Sequence, residues 1–209
     1  GLLMSLVYNI IKDRRSVRKY FSKGISDNIL QRVLDAARWA PSAHNAQPWR
    51  FIVIKDASIK RRLAKAMASE WNKDLYKEGV SLQNRQRLIK NSIKKFTQAP
   101  ILIVAFLTME DMDNYPDKKR RKVEYEMAVQ SVAAAIQNIL LVAYAEGLGA
   151  CWFCAPMFCP ETVREVLEAP KSVEPQALIT LGYPAERPEI PPRKPIEALV
   201  YQNLWESGK

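Results

Sequence analysis

Residues 127–154 read MAVQSVAAAIQNILLVAYAEGLGACWFC. From Met127 to Ala145 no side chain is charged, and the first charge is Glu146. A run this long and apolar has the length of a membrane span. Gln130, Ser131, Gln137 and Asn138 argue against lipid, which would leave four polar groups costly to satisfy. The stretch predicts a long helix over 124–146, buried in a soluble core or at a subunit interface. Gly147 closes it as a C-terminal cap, and Ala150–Cys154 follows as a short strand.

Upstream, Leu6, Val7, Ile10 and Ile11 recur at helical spacing within residues 5–13. Ser26 reads as the N-cap of a second helix with the stripe Ile29, Leu30, Val33, Leu34 and Ala37, ended by Pro41. Residues 50–55 predict a buried strand and 58 to 72 a helix. Residues 73–95 are polar and basic with weak periodicity, and suit a mobile lid. Residues 101–107 form an uncharged strand, and 110–122 a charged connection. Downstream, 160–168 is a helix with Pro160 at its first turn, and 176–182 is the last core strand. From Tyr183 five prolines (Pro184, Pro188, Pro191, Pro192, Pro195) demand an extended arm over 183–209. Several helices with a few separated strands predict an α+β fold, as one domain over 1–209.

The chain has 209 residues, 48% hydrophobic and 26% charged, which is the composition of a globular protein and not of a disordered one. Its net charge of +10 favours phosphate-bearing partners: nucleotide cofactors, nucleic acid or headgroups. The densest cluster, Lys118–Lys122, reads as a solvated face, and no nucleic-acid motif accompanies it. Three cysteines, Cys151, Cys154 and Cys159, are odd in number and tightly clustered, which argues against a secreted disulfide framework. No signal peptide is expected from the first residues. Cys151 and Cys154 are spaced as a redox pair, yet a strand would turn them to opposite faces, so reduced, packed thiols are expected. His44 is the only histidine, which excludes a histidine-rich metal site; it is expected as an exposed loop residue.

Four segments carry chemistry. Arg14-Arg15-Ser16-Val17-Arg18 offers guanidinium groups and a hydroxyl to a phosphate and a polyol. The 40–49 segment, APSAHNAQPW, presents Ser42, Asn45 and Gln47 on a loop stiffened by Pro41 and Pro48. Residues 147–156, GLGACWFCAP, set small residues before an aromatic pair, so that backbone can approach a flat ligand. Arg193 and Lys194, in the proline-rich tail, add two late cations. Each segment alone also has a plain structural reading: a solvated helix end, a self-satisfied loop, a helix stop before a core strand.

Their order and spacing are more specific than any one of them. An Arg-Arg-Ser-x-Arg start, a Pro-Ser-x-x-Asn-x-Gln-Pro-Trp loop, a long alanine-rich helix ending in Gly-Leu-Gly and an Arg-Lys-Pro tail together resemble the FMN-dependent nitroreductase-like family across nearly the whole chain. The resemblance implies a central, mostly antiparallel sheet flanked by helices, with an extended C-terminal arm, in a C2 homodimer that holds two flavins at its interface. It implies FMN as cofactor and NAD(P)H as reductant, with flavin N5 carrying the chemistry and no catalytic side chain. By matching position, Arg14, Arg15 and Ser16 form the ribityl and phosphate clamp with Arg18 in support. Pro41, Ser42, Asn45 and Gln47 belong to the loop laid on the flavin by the partner subunit. Trp152, Phe153, Cys154 and Ala155 line the ring, Arg193 and Lys194 return to the phosphate, and Asn91 meets the pyrimidine edge. The Cys151/Cys154 pair departs from the family pattern. The expected activity is electron transfer to a nitroaromatic, quinone or enone in the cytoplasm, with no nucleic-acid or membrane partner. Reductive dehalogenation, flavin fragmentation, deazaflavin-linked oxidation and flavin binding without turnover are the alternatives, as is a nucleic-acid-binding module suggested by charge alone.

Overall fold

The computed structural model describes residues 2–205; Gly1 and residues 206–209, the ends of the expected span, lie outside the described residues. Four strands, β1 (Trp49–Ile54), β2 (Ile101–Thr108), β3 (Gly149–Phe153) and β4 (Val173–Gly182), form one sheet in the order β1-β2-β4-β3. Every neighbouring pair is antiparallel. The helices are α1 (Leu2–Asp13), α2 (Asp27–Arg38), α3 (Ala57–Lys77), α4 (Leu82–Thr97), α5 (Lys118–Ala145) and α6 (Pro160–Val166). This is the expected α+β fold with an antiparallel sheet between helices.

The central strands explain the uncharged sequence of 101–107. Ile101, Ile103, Ala105 and Leu107 enter one core with residues of α2 and α5, while Leu102, Val104 and Phe106 enter a second with residues of α3, α4 and α6. With helices on both faces, a period-two strand needs apolar residues at every position. β4 starts at Val173, three residues before the predicted start. Pro175 reads as a strand breaker, but a bulge opposite Ala105 and Phe106 accommodates it.

Two expectations are corrected. Residues 73–95 are no lid: they are the end of α3 and most of α4. Ser81 caps α4 by accepting from the Asn84 N–H at 3.3 Å, and Phe96 is its buried anchor. The inward face of α4, Ile89, Ile93 and Phe96, has helical spacing but is diluted by the five lysines and arginines of residues 82–97, which is why the segment reads as polar. The connection over 110–122 is also shorter than expected, because α5 begins at Lys118. Asp117 accepts from the Arg120 N–H at 2.9 Å, and the basic run is the exposed start of the helix. Cations at a helix N-terminus oppose its dipole; the Arg120–Asp117 ion pair and Lys122–Glu126 at 3.6 Å offset that. Among the described residues α5 is the one helix long and apolar enough to cross a membrane. It contributes Ala128, Val132, Ile136 and Ile139 to the core under the sheet.

Candidate functional site

After α1 the chain runs beside the edge strand β3. Ser16 bridges Ala150 in parallel, and the Val17 N–H donates to the Ala150 carbonyl at 3.0 Å. The approach is close because residue 149 is glycine: a Cβ there would lie 2.8 Å from Val17 Cβ. The same segment is stitched to the start of the C-terminal arm. Phe21 N–H donates to the Tyr183 carbonyl at 2.9 Å, Ala185 N–H to Lys19 at 2.9 Å, and Arg18 N–H to Glu186 Oε1 at 2.7 Å. The arm thereby turns back over Arg14 and Arg15, which line a cleft of about 860 Å³ with Tyr144, Leu148, Ala150 and residues 184–190.

Arg14 is the centre of this cleft. It is half-buried, its Nε is buried without a hydrogen-bond partner, and its pKa is lowered, first by burial and then by the positive charges of Arg193 and Arg15. Arg15 and Arg193 are thus close enough to act on the Arg14 charge, and among the described residues none of the three forms a salt bridge. Arg15 donates only to the carbonyls of Lys12 and Arg14, at 2.9 and 2.8 Å. Like charges that repel and an orphaned buried N–H are the signature of a site built for an anion. Arg193 acts on Arg14 by charge but is itself exposed and donates to the carbonyls of Pro191 and Pro192 at 3.4 Å; Lys194 is exposed beside it and has no salt-bridge partner among the described residues.

The floor of the site is β3. Cys151 is buried, with the Ser16 hydroxyl beside it and Arg18, Lys95 and Arg14 close enough to act on its charge; burial dominates and pushes the thiol up. Trp152 faces the opposite side, where its Nε1–H is buried without a partner. Phe153 stacks edge-on against Phe96 at 5.2 Å, and Lys95 Nζ lies 4.9 Å from the Phe153 ring centre. β3 ends at Phe153, one residue earlier than predicted, so Cys154 is exposed and Ala155 begins a 3-10 turn. All three cysteines are free. Phe153, Cys154 and Ala155 border a second cavity of about 410 Å³ under α3 and α4. Asn91 is exposed on α4, one turn before Lys95. Sequence reasoning missed Lys95, whose only signal was that four-residue offset.

The Pro-Ser loop lies elsewhere. It leads into Trp49, which pairs with Leu107 at the far end of β2, whereas Ala150 pairs with Leu181, itself opposite Ile101. Within one chain the loop and the arginine cluster therefore occupy opposite edges and opposite ends of the sheet, three strand spacings or about 14 Å apart across it. The loop is strained and clamped. His44, Asn45 and Gln47 have φ of 57°, 51° and 48°, in the left-handed region. Ser42 Oγ accepts from the Gln47 N–H at 3.0 Å, and the Ala43 N–H donates to Ser131 Oγ at 3.2 Å. His44 is exposed in the loop, as expected from sequence, and it is also paired. Its Nε2 is hydrogen-bonded to buried Glu124 and lies 3.6 Å from Asp113. The Glu124 bond, before Asp113, raises the imidazole pKa. Pro41, Asn45 and Gln47 are left exposed.

The donor set suits FMN. Unpaired guanidinium groups match a phosphate, the Ser16 hydroxyl a polyol, and the β3 floor with its aromatic and thiol side chains a flat ring.

Comparison with known proteins points the same way. Residues 11–183 match the nitroreductase family. A protein of Archaeoglobus fulgidus assigned as an NADH dehydrogenase/NAD(P)H nitroreductase is 31% identical over 185 residues, covering 87% of each chain. Among solved structures, a BluB-like flavoprotein from Clostridium difficile superposes with a TM-score of 0.77 at 26% identity, over 93% of this chain and 97% of that one. A Desulfovibrio desulfuricans protein solved in complex with FMN gives 0.71 at 28% identity, over 96% and 98%. With the fold, the order of its motifs and a family match over 11–183 in agreement, the chain belongs to the nitroreductase family.

Proposed function

We propose that this protein binds FMN and, as a cytoplasmic homodimer, carries electrons from NAD(P)H to a small organic acceptor such as a nitroaromatic, quinone or enone. The observation that carries the reading is the buried, unpartnered Nε of Arg14, with Arg15 and Arg193 close enough to act on its charge. Residues 1–209 act as one flavin-binding unit in this reading.

The protein binds and orients. Arg14, Arg15 and Arg193 hold the phosphate, with Lys194 beside them, and Ser16 and Arg18 the chain that joins it to the ring. Phe153, Cys154 and Ala155 line the ring, with Asn91 and Lys95 on α4 at its side, while Trp152 contributes backbone only because its side chain packs on the other face of β3. The 41–47 loop of a second copy completes the site, because one chain holds its own loop at the other edge of the sheet. The exposed apolar residues of α1 (Leu6, Val7, Tyr8, Ile11) and of the arm (Leu199, Tyr201, Leu204, Trp205) supply surface that such a dimer buries. When bound, the flavin supplies the hydride-accepting and electron-passing chemistry. The chain's own part is to position it and exclude water.

Purification and anaerobic addition of NADH or NADPH tests the reading. A yellow protein whose oxidised-flavin absorbance bleaches supports it. A colourless protein with salt-dependent nucleic-acid affinity refutes it, and a yellow protein that neither nucleotide bleaches limits the function to flavin binding.

A further inference from the structure

The cavity beyond Phe153 has a charge pattern opposite to that of the molecule. The chain carries +10 overall, yet Glu70 and Asp74 of α3 and Glu78, the residue that caps its C-terminus, all line this space at four-residue intervals. Glu70 is paired with Lys73 at 2.8 Å; among the described residues Asp74 and Glu78 have no salt-bridge partner. Cys159, whose thiol is raised first by burial, also feels Glu70 and Asp74, so two of the carboxylates act inward. The single cation of the lining, Lys95, is on the other wall, its Nζ set over the Phe96 and Phe153 rings at 5.1 and 4.9 Å. Between the walls the surface is aromatic and apolar: Met67, Trp71 and Phe96 with Phe158, which is 84% exposed at the rim. An exposed phenylalanine and an exposed tryptophan lining the same space of about 410 Å³ offer stacking surfaces to a flat ring.

We propose that this cavity is the acceptor site and that it selects an aromatic ring bearing a cationic substituent, with the ring between Trp71 and Phe158 and the positive group on the α3 carboxylates. The inference rests on the flavin-reductase reading above and assigns its substrate class. Quaternary or protonated amines suit the site twice, through the carboxylates and through cation–π contact with Trp71. An anionic ring of the same size meets two unpaired carboxylates.

The test uses the flavin-loaded protein and three para-substituted nitrobenzenes of different charge: 4-nitrobenzylammonium, 4-nitrobenzyl alcohol and 4-nitrophenylacetate. Reduction is followed by NAD(P)H oxidation, and binding separately by quenching of tryptophan fluorescence. The expected order of kcat/KM is cation, neutral, anion, with roughly tenfold between the extremes from two exposed carboxylates. The preference shrinks at high salt. Asp74→Asn with Glu78→Gln, both at exposed positions, abolishes the order while leaving the neutral compound's rate within about twofold. Equal rates and equal binding for all three, or a preference unchanged in the double variant, overturn the proposal. If even the neutral compound is not reduced, the reductase reading fails, and the binding order alone then decides for or against a cation-selective cavity.

Discussion

The Nε2 atom of His44 lies 3.0 Å from both carboxylate oxygens of Glu124. Glu124 is 2% exposed and sits in the second turn of α5, so a buried carboxylate reaches out to fix a residue held in the left-handed region. The pair ties the strained loop to the longest helix. Protonated imidazole is favoured in the folded state. Its contribution is therefore complete below the ordinary value of 6.5 and lost as pH rises through the higher, folded-state pKa. As the only histidine, His44 gives an unambiguous NMR titration. The expected midpoint is above 6.5, and Glu124→Gln brings it down. An unchanged midpoint in the variant would show that the bond does not persist in solution.

Removal of one guanidinium from the cluster tests the phosphate clamp. Arg14→Ala is expected to weaken FMN retention by about 10- to 100-fold, the loss of one or two charge-assisted hydrogen bonds. Lys119→Ala, in the exposed first turn of α5, removes the same charge and leaves retention unchanged. Equal losses on gel filtration would mean that net charge, and not the cluster, retains the flavin.

Gly149→Ala places a methyl group 2.8 Å from Val17 Cβ and Cγ1. The expected cost is about 1–3 kcal/mol, by analogy with overpacked cores, together with weaker flavin binding, because Val17 carries Arg14–Ser16 against β3. Gly24→Ala is the control, since nothing lies within 4 Å of its added Cβ. Thermal melting that fails to separate the two substitutions argues against the close approach.

A double substitution on the exposed face of α1, Leu6→Glu with Ile11→Glu, adds charge where the side chains are 57% and 50% exposed. Within one chain this is tolerated. In the proposed dimer it is not, so light scattering should report a monomer of unchanged helicity that no longer retains flavin. A flavin-loaded monomer would contradict a site shared between two copies.

The thiols differ in reach. Cys151 is buried and its thiol is pushed up by that burial, Cys159 likewise is raised, and Cys154 is exposed. Brief alkylation at mildly alkaline pH followed by mass spectrometry is expected to label Cys154 first and Cys151 last. Labelling of Cys151 ahead of Cys154 would indicate that the 151 site is open.

The sequence by itself determined the elements whose signal is local. Ser26 and Pro41 bracket α2, Gly147 stops α5, and the uncharged run at 101–107 is a strand because both faces of the sheet are covered. The order of motifs carried the family. What the sequence could not display depends on contacts between distant residues. α4 hid because its stripe of Ile89, Ile93 and Phe96 lies among many basic and polar residues, and the start of α5 hid because a cap and good helix formers need no apolar periodicity. Glu124 read as the charged beginning of an apolar helix; only tertiary packing turns it toward His44, eighty residues away. The same holds for Lys95 beside Cys151, and for three carboxylates of α3 and its C-cap facing a cavity on a basic molecule. Secondary structure follows from neighbours a few residues apart, whereas a site is fixed by chain crossings whose partners local sequence does not encode.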